Sequence, residues 1–166
     1  MNKIEDYEVF IKKNFLPIWT NFLDLEIQRS LKFIKFMGSP NAYIIMQVIA
    51  WHQNLSVASE IKDADWEESR QKWFHDSKYG SSNKMKLSYT LVSELSGLSV
   101  ETIRRHVKKM INDGWVSYNK KNGIQFRATE ENFRNLADNL NIQEVKLLAR
   151  FLAKVNQLKV SEKIAL

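Results

Sequence analysis

The clearest periodicity in the chain lies between residues 100 and 112. Val100, Ile103, Val107, Met110 and Ile111 recur at steps of 3, 4, 3 and 1, and every other position is polar or charged. A single apolar stripe at that spacing predicts a helix lying with one face on a core. Ser99 is placed to cap its start and Gly114 to stop it. Upstream, Ser88 is a cap for a helix over Tyr89–Ser96 whose inner face is Leu91, Val92 and Leu95. Gly97 supplies the left-handed residue that ends that helix, and Leu98 plugs the corner. Lys84-Met85-Lys86-Leu87 alternates like a short half-buried strand. Trp115–Tyr118 and Ile124–Arg127 predict two strands around Asn119-Lys120-Lys121-Asn122-Gly123, with the glycine placed for a positive φ. The expected order is strand, helix, tight turn, helix, hairpin.

The flanking regions read as helices with less definite faces. Apolar residues from Phe15 to Phe36 cover more than one side, and Pro17 either sits in the first turn of this helix or kinks one begun near Lys3. Gly38-Ser39-Pro40 breaks it and starts a second helix, about 40–61, expected to bury Tyr43, Ile44, Val48, Ile49, Trp51, Leu55 and Ala58. Asp65-Trp66-Glu67-Glu68 opens a short helix to Phe74, with Trp66 and Trp73 on one face, and Tyr79–Asn83 reads as a loop. Near the C-terminus, Ile142, Val145, Leu148, Leu152 and Val155 form a seam. A second copy of the chain would match it, or it packs on the N-terminal helix of its own chain. A homodimer is favoured, because the two helices carry more apolar surface than one small core needs. The expected fold is mainly α with a small antiparallel β-wing: an N-terminal helical region at 1–83, a central unit at 84–129 and C-terminal helices at 130–166. Trp19, Trp51 and Trp66 are candidate walls of a cavity for a small apolar effector.

Charge changes the picture. The net charge is +6. Between Lys84 and Arg127 stand nine basic residues (Lys84, Lys86, Arg104, Arg105, Lys108, Lys109, Lys120, Lys121 and Arg127) against Glu94, Glu101 and Asp113, and the remainder of the chain is neutral. A cationic block on a neutral background points to a polyanionic partner. Zero cysteines exclude disulfides and thiolate metal sites. His52, His75 and His106 have no metal-ligand spacing, and no nucleophile elbow, phosphate loop or dinucleotide fingerprint occurs. No catalytic residue, metal or cofactor is expected, and the chain does not read as an enzyme. The start of the chain lacks a signal-peptide pattern, and the longest apolar stretch, Tyr43–Trp51, is far shorter than the ~20 residues that span a bilayer. A cytoplasmic protein without membrane association is expected.

Leu91 to Met110, followed by Asn112-Asp113-Gly114-Trp115-Val116, resembles a winged helix-turn-helix domain, and it is similar to the GntR and MarR families of bacterial transcription regulators. The resemblance is carried by the serine opening the second helix, by Thr102-Ile103-Arg104 within it and by the Gly114-Trp115-Val116 step into the hairpin. Helices on both sides of the motif look more like the MarR arrangement, in which flanking helices build a dimer. The resemblance implies a regulator that binds double-stranded DNA.

Physical reasoning assigns roles to residues. A helix of this length is about 20 Å long and fits a major groove about 12 Å wide. Its N-terminal part faces base edges, so Glu101, Thr102 and Arg105 are the candidates for base contact. An arginine takes guanine O6 and N7 together, and a glutamate accepts from a cytosine amine. Arg104, Lys108 and Lys109 are assigned to phosphates, as are Ser88, Thr90 and Ser99 at helix starts. Lys120 and Lys121 at the hairpin tip would reach the backbone or the adjacent minor groove. Competing readings are a merely solvated polar face, a winged-helix protein-interaction module, and a component of a replication or mobile-element initiator.

Overall fold

The structure is a computed structural model, and it describes residues 3–80 and 86–164. The elements in order are α1 (Lys3–Lys13), α2 (Phe15–Met37), α3 (Pro40–Glu60), α4 (Trp66–Tyr79), α5 (Tyr89–Ser96), α6 (Val100–Asn112), β1 (Val116–Asn119), β2 (Gly123–Phe126), α7 (Glu130–Arg134), a π-helical segment (Asn135–Asn141) and α8 (Ile142–Ile164). The chain is mainly α with a small antiparallel two-stranded sheet, the expected winged arrangement with helices on both sides. Packing divides it into residues 1–33 with 140–166, and residues 34–139. This differs from the division by motif at 83/84 and 129/130, because α3, α4 and α7 belong to the same compact body as α5, α6 and the hairpin.

In the first unit, both readings of Pro17 hold together. A proline ring clashes with the carbonyl four residues back and has no N–H to give it. Accordingly α1 ends at Lys13, and α2 begins with Pro17 in its first turn. The Asn14 amide still bonds to the Phe10 carbonyl at 3.0 Å, so the interruption is local. α8 presents one stripe to α2. Glu144 accepts from Arg29 Nε at 2.6 Å, Lys154 donates to Asn21 at 2.6 Å, and Phe151 meets Phe22 edge-on at 6.2 Å. Leu147, in the same stripe, is buried. The predicted seam of Ile142, Val145, Leu148, Leu152 and Val155 is a different stripe, and its first four residues are exposed within the chain while Val155 is half-buried.

The second unit is built on α3, which packs on α5, α6 and β2. Ile45, Ile49, Leu87, Val92, Ile103, Val107 and Ile124 are its fully buried centre. Ser39 caps α3 by accepting from the Ala42 amide, as the sequence predicts. The expected inner face of α3 needs correction. Ile44, Trp51, Leu55 and Ala58 are exposed, whereas Ala42, Ile45, Met46, Ile49, His52, Gln53, Ser56 and Val57 are buried. Apolar residues lie all round this helix, so spacing alone does not choose a side. The choice falls where three polar residues can be buried with partners, since a buried polar group is costly only when unpaired. Gln53 Nε2 donates to Asp76 Oδ2 of α4 at 2.9 Å. The Asp76 carboxylate is 2% exposed and also takes Lys72 Nζ at 2.5 Å, while Lys72 lies 2.8 Å from Glu60.

α4 starts with a capping box between Asp65 and Glu68 and runs on to Tyr79, past the expected end at Phe74. Trp66 and Trp73 do share a face, with ring centroids 5.9 Å apart. Of the candidate cavity walls, Trp19, Trp51 and Trp66 are all exposed, and a cleft at the α3–α4 corner, about 400 Å³, is lined by Val57, Ile61, Lys62 and Trp73.

The hairpin pairs Asn119 with Gly123, leaving Lys120, Lys121 and Asn122 as its loop. Gly123 has φ +76°, and the Asn122 amide donates to Asn119 Oδ1 at 2.7 Å. Of the strand expected at 84–87, Lys84 and Met85 lie outside the described residues. Leu87 makes a single parallel bridge to Gly123, with the Ile124 amide donating to its carbonyl at 2.8 Å. A Cβ at position 123 would strike that carbonyl. Gly123→Ala should therefore combine a left-handed φ with a backbone clash and destabilise the chain by about 1–3 kcal/mol. Thermal denaturation checks this, and an unchanged midpoint would refute it.

Candidate nucleic-acid interface

The geometry of α5 and α6 is set by short polar residues at their ends. Ser88 Oγ accepts from the Leu91 amide at 3.1 Å, and Ser99 Oγ accepts from the Thr102 amide at 3.2 Å. Gly97 has φ +71° and closes α5, and Ser93 Oγ donates to the Leu98 carbonyl across the turn. With the corner fixed, Ile103 and Val107 go to complete burial and Met110 nearly so. The opposite side of α6 follows from the 3.6-residue period. Glu101, Arg104, Arg105, Lys108 and Lys109 are all exposed there, and so is Asn112, which the sequence reading passed over.

The predicted contact residues differ in their freedom to act. Arg105 and Lys108 stand open to solvent. Thr102 is half-buried, its hydroxyl 2.9 Å from that of Ser99, so these two residues form one hydrogen-bonded cap. Ser88 is half-buried in its own cap, and Thr90 is exposed two residues on. Lys109 Nζ is 2.7 Å from Asp113 Oδ2. Arg104 lies 3.9 Å from Glu101 and has its guanidinium carbon 5.8 Å from the centroid of the Tyr89 ring. Lys120 and Lys121 are exposed at the hairpin tip, and Lys86 Nζ joins them by donating to the Lys120 carbonyl at 2.5 Å.

Not every cation of the basic block serves this surface. Arg127 donates through Nη1 to the carbonyls of Lys78, at 2.8 Å, and Ser77, at 3.4 Å. Ser77 Oγ donates to the Ala128 carbonyl at 3.0 Å. The end of α4 is thereby clamped to the exit of the wing, and Arg127 is a structural residue. Nothing in the local sequence around Arg127 marks that destination, since the partners lie on another helix.

His106 sits at the edge between the inner and outer faces of α6. Burial lowers its pKa below the ordinary value, and the positive charges of Arg105 and Lys109 lower it further. The unfolded chain therefore takes up this proton first as pH falls. His106 contributes stability that is fully present above the unfolded value of about 6.5 and is lost as pH drops through it toward the folded value. His106→Gln should flatten the fall in thermal midpoint between neutral and mildly acidic pH. Identical pH profiles for the two proteins would remove this residue from the account.

Residues 86–117 match a family described as winged helix-turn-helix DNA-binding. The match runs from Lys86 through α5, the turn and α6 into β1, so it includes the exposed cations of α6 and stops short of Lys120 and Lys121. Nothing among curated proteins matches the chain, and no solved structure does. The match supports a DNA-binding domain with double-stranded DNA as partner. Among the described residues no helix is long and apolar enough to cross a membrane, and no group of three or more His, Cys, Asp or Glu is placed to hold a metal ion.

Proposed function

We propose that the chain is a sequence-specific, homodimeric regulator of transcription that acts where the DNA is, in the cytoplasm. α6 lies in the major groove, with Glu101, Thr102 and Arg105 toward base edges. Arg104, Lys108, Lys109 and the starts of α5 and α6 (Ser88, Thr90, Ser99) lie toward phosphates, and Lys120 and Lys121 toward the backbone or the neighbouring minor groove. The observation that carries the reading is α6 itself: the buried Ile103, Val107 and Met110 (Ile111 of the expected stripe is exposed) back a face on which four cations are exposed, inside a segment matching DNA-binding winged helices.

If about five cations neutralise phosphate, log K falls with log salt at a slope of about −4 to −5 per monomer, so a fourfold rise in salt costs roughly 10²–10³ in affinity. A mobility-shift titration at two salt concentrations, with a selected and a scrambled duplex, tests this. Weak, salt-insensitive binding with no preference between duplexes would leave an interaction module as the better reading.

The dimer reading is supported by α8 meeting α2 through Glu144, Leu147, Phe151 and Lys154 while Ile142, Val145, Leu148 and Leu152 stay exposed. A second copy placed on Val145, Leu148 and Leu152 would bury the open stripe in a self-complementary way and supply a second recognition helix for a palindromic site, about 34 Å from the first. Sedimentation equilibrium of the full chain decides it. Leu148→Glu with Leu152→Glu should yield a monomer that keeps its helical content, and a wild type that is monomeric at micromolar concentration would refute the dimer.

A further inference from the structure

Tyr89 is the first residue of α5, and Tyr118 lies in the wing strand β1. Their ring centroids are 4.5 Å apart with the planes tilted by 35°. The Arg104 guanidinium carbon lies over the same Tyr89 ring, 5.8 Å from its centroid, and Glu101 Oε2 is 3.9 Å from Arg104 Nη1. The flank of α6, the start of α5 and the wing thus converge on one aromatic pair. Tyr89, Arg104 and Tyr118 are each more than ten residues apart in sequence.

We propose that the Tyr89–Tyr118 stack is a platform that holds Arg104 in position for one DNA phosphate, so that wing and recognition helix act on that phosphate as one unit. The proposal rests on the DNA-binding reading. An arginine with a 61% exposed side chain ordinarily loses its rotamer freedom on pairing with phosphate. The π-face of Tyr89 attracts the guanidinium and Glu101 holds it from the side, so part of that ordering is already done before DNA arrives. The remaining N–H groups of the fork are those a phosphate oxygen would take. Tyr118 sits 37% exposed at the edge of this stack, so its ring can be changed without opening the core. Burial and the neighbouring Tyr118 push the Tyr89 pKa up against the opposing charge of Arg104, so the ring stays neutral at physiological pH. In this scheme Arg104 is the contact residue, and Tyr89 and Tyr118 are positioning residues that act through their rings.

The test is a salt titration of DNA affinity with the full-length chain, comparing wild type with Arg104→Ala, Tyr118→Leu, Tyr118→Phe, the Arg104→Ala/Tyr118→Leu double variant, and Lys121→Ala as a separate wing contact. Arg104→Ala should weaken binding on the order of tenfold and flatten the salt slope by about 0.9, the share of one phosphate. Tyr118→Leu should reproduce most of both effects, Tyr118→Phe should restore wild-type binding, and the double variant should bind no worse than Arg104→Ala alone. Lys121→Ala should multiply with Tyr118→Leu. Tyr118→Val makes the same comparison if the leucine variant loses helical signal. Wild-type slope in Tyr118→Leu, multiplicative losses in the double variant, or failure of phenylalanine to rescue would each overturn the platform. A wild type without salt-steep binding would instead overturn the DNA reading beneath it. A one-phosphate loss from Arg104→Ala with a silent Tyr118→Leu overturns the platform alone.

Discussion

Replacing Arg105 by alanine should reduce the preference for a selected duplex over a scrambled one by about 5- to 150-fold, the 1–3 kcal/mol of a bidentate arginine–guanine contact. The expectation comes from the position of Arg105 on α6. It lies in the N-terminal half of the helix, directly opposite the stripe of Ile103, Val107 and Met110, with its side chain in solvent. Arg104 is drawn to the flank by Tyr89 and Glu101, and Lys109 is drawn toward Asp113. Affinity for the scrambled duplex should fall only by the loss of one counter-ion contact, because non-specific binding is a sum over phosphates. Lys121→Ala provides the contrast: at the wing tip it should weaken selected and scrambled duplexes equally and leave their ratio unchanged. Competition titrations with both duplexes read the two outcomes directly. Equal losses from Arg105→Ala on both duplexes would undo the assignment of this residue to base contact.

The features that were legible in the sequence are those decided by a few neighbouring residues. Ser39, Ser88 and Ser99 cap helices because a short hydroxyl can reach the amide three residues on. Gly97 and Gly123 stand where the backbone needs a positive φ. The stripe of α6 is legible because its other face is wholly polar, which leaves one orientation. α3 fails the same test, being apolar on several sides, and its buried face meets α5, α6 and β2 and pairs Gln53 with Asp76 of α4, all of them distant in sequence. Arg127 reads as one more cation of the basic block, yet its guanidinium serves the carbonyls at the end of α4. Tyr89 and Tyr118 are ordinary aromatic residues until folding stacks them. On α8 the exposed seam was legible as a heptad-like repeat, whereas the stripe facing α2 was not, because Glu144 and Lys154 look like solvated positions.

Asp76 is the strongest case of a residue whose role the sequence conceals, and its removal should have the largest effect on stability. In His75-Asp76-Ser77-Lys78 it reads as part of a solvated run, yet its carboxylate is almost wholly buried. Burial alone would lower the pKa of Lys72, but hydrogen bonds and charge from Asp76 and Glu60 outweigh it and the net shift is upward. Lys72 is therefore charged at neutral pH. Asp76→Ala would strand the Gln53 amide in the interior and leave Lys72 with Glu60 alone, at a cost of about 3–5 kcal/mol. For a chain of this size the thermal midpoint should fall by roughly 10 °C or more. Replacing both partners, Lys72→Met with Asp76→Leu, should cost less than Asp76→Ala alone, because no uncompensated charge is left in the interior. Chemical denaturation of the three proteins decides this, and a loss below about 1 kcal/mol for Asp76→Ala would refute the buried network. The effect should also reach the wing. Ser77 and Lys78 follow Asp76 directly and are the residues bonded to Ala128 and Arg127. Loosening the end of α4 should therefore speed amide exchange at Arg127 and Thr129, whose N–H groups donate to the carbonyls of Trp115 and Gly114 at the base of the hairpin. The amides of α1 lie in the other compact unit and should exchange at their wild-type rates.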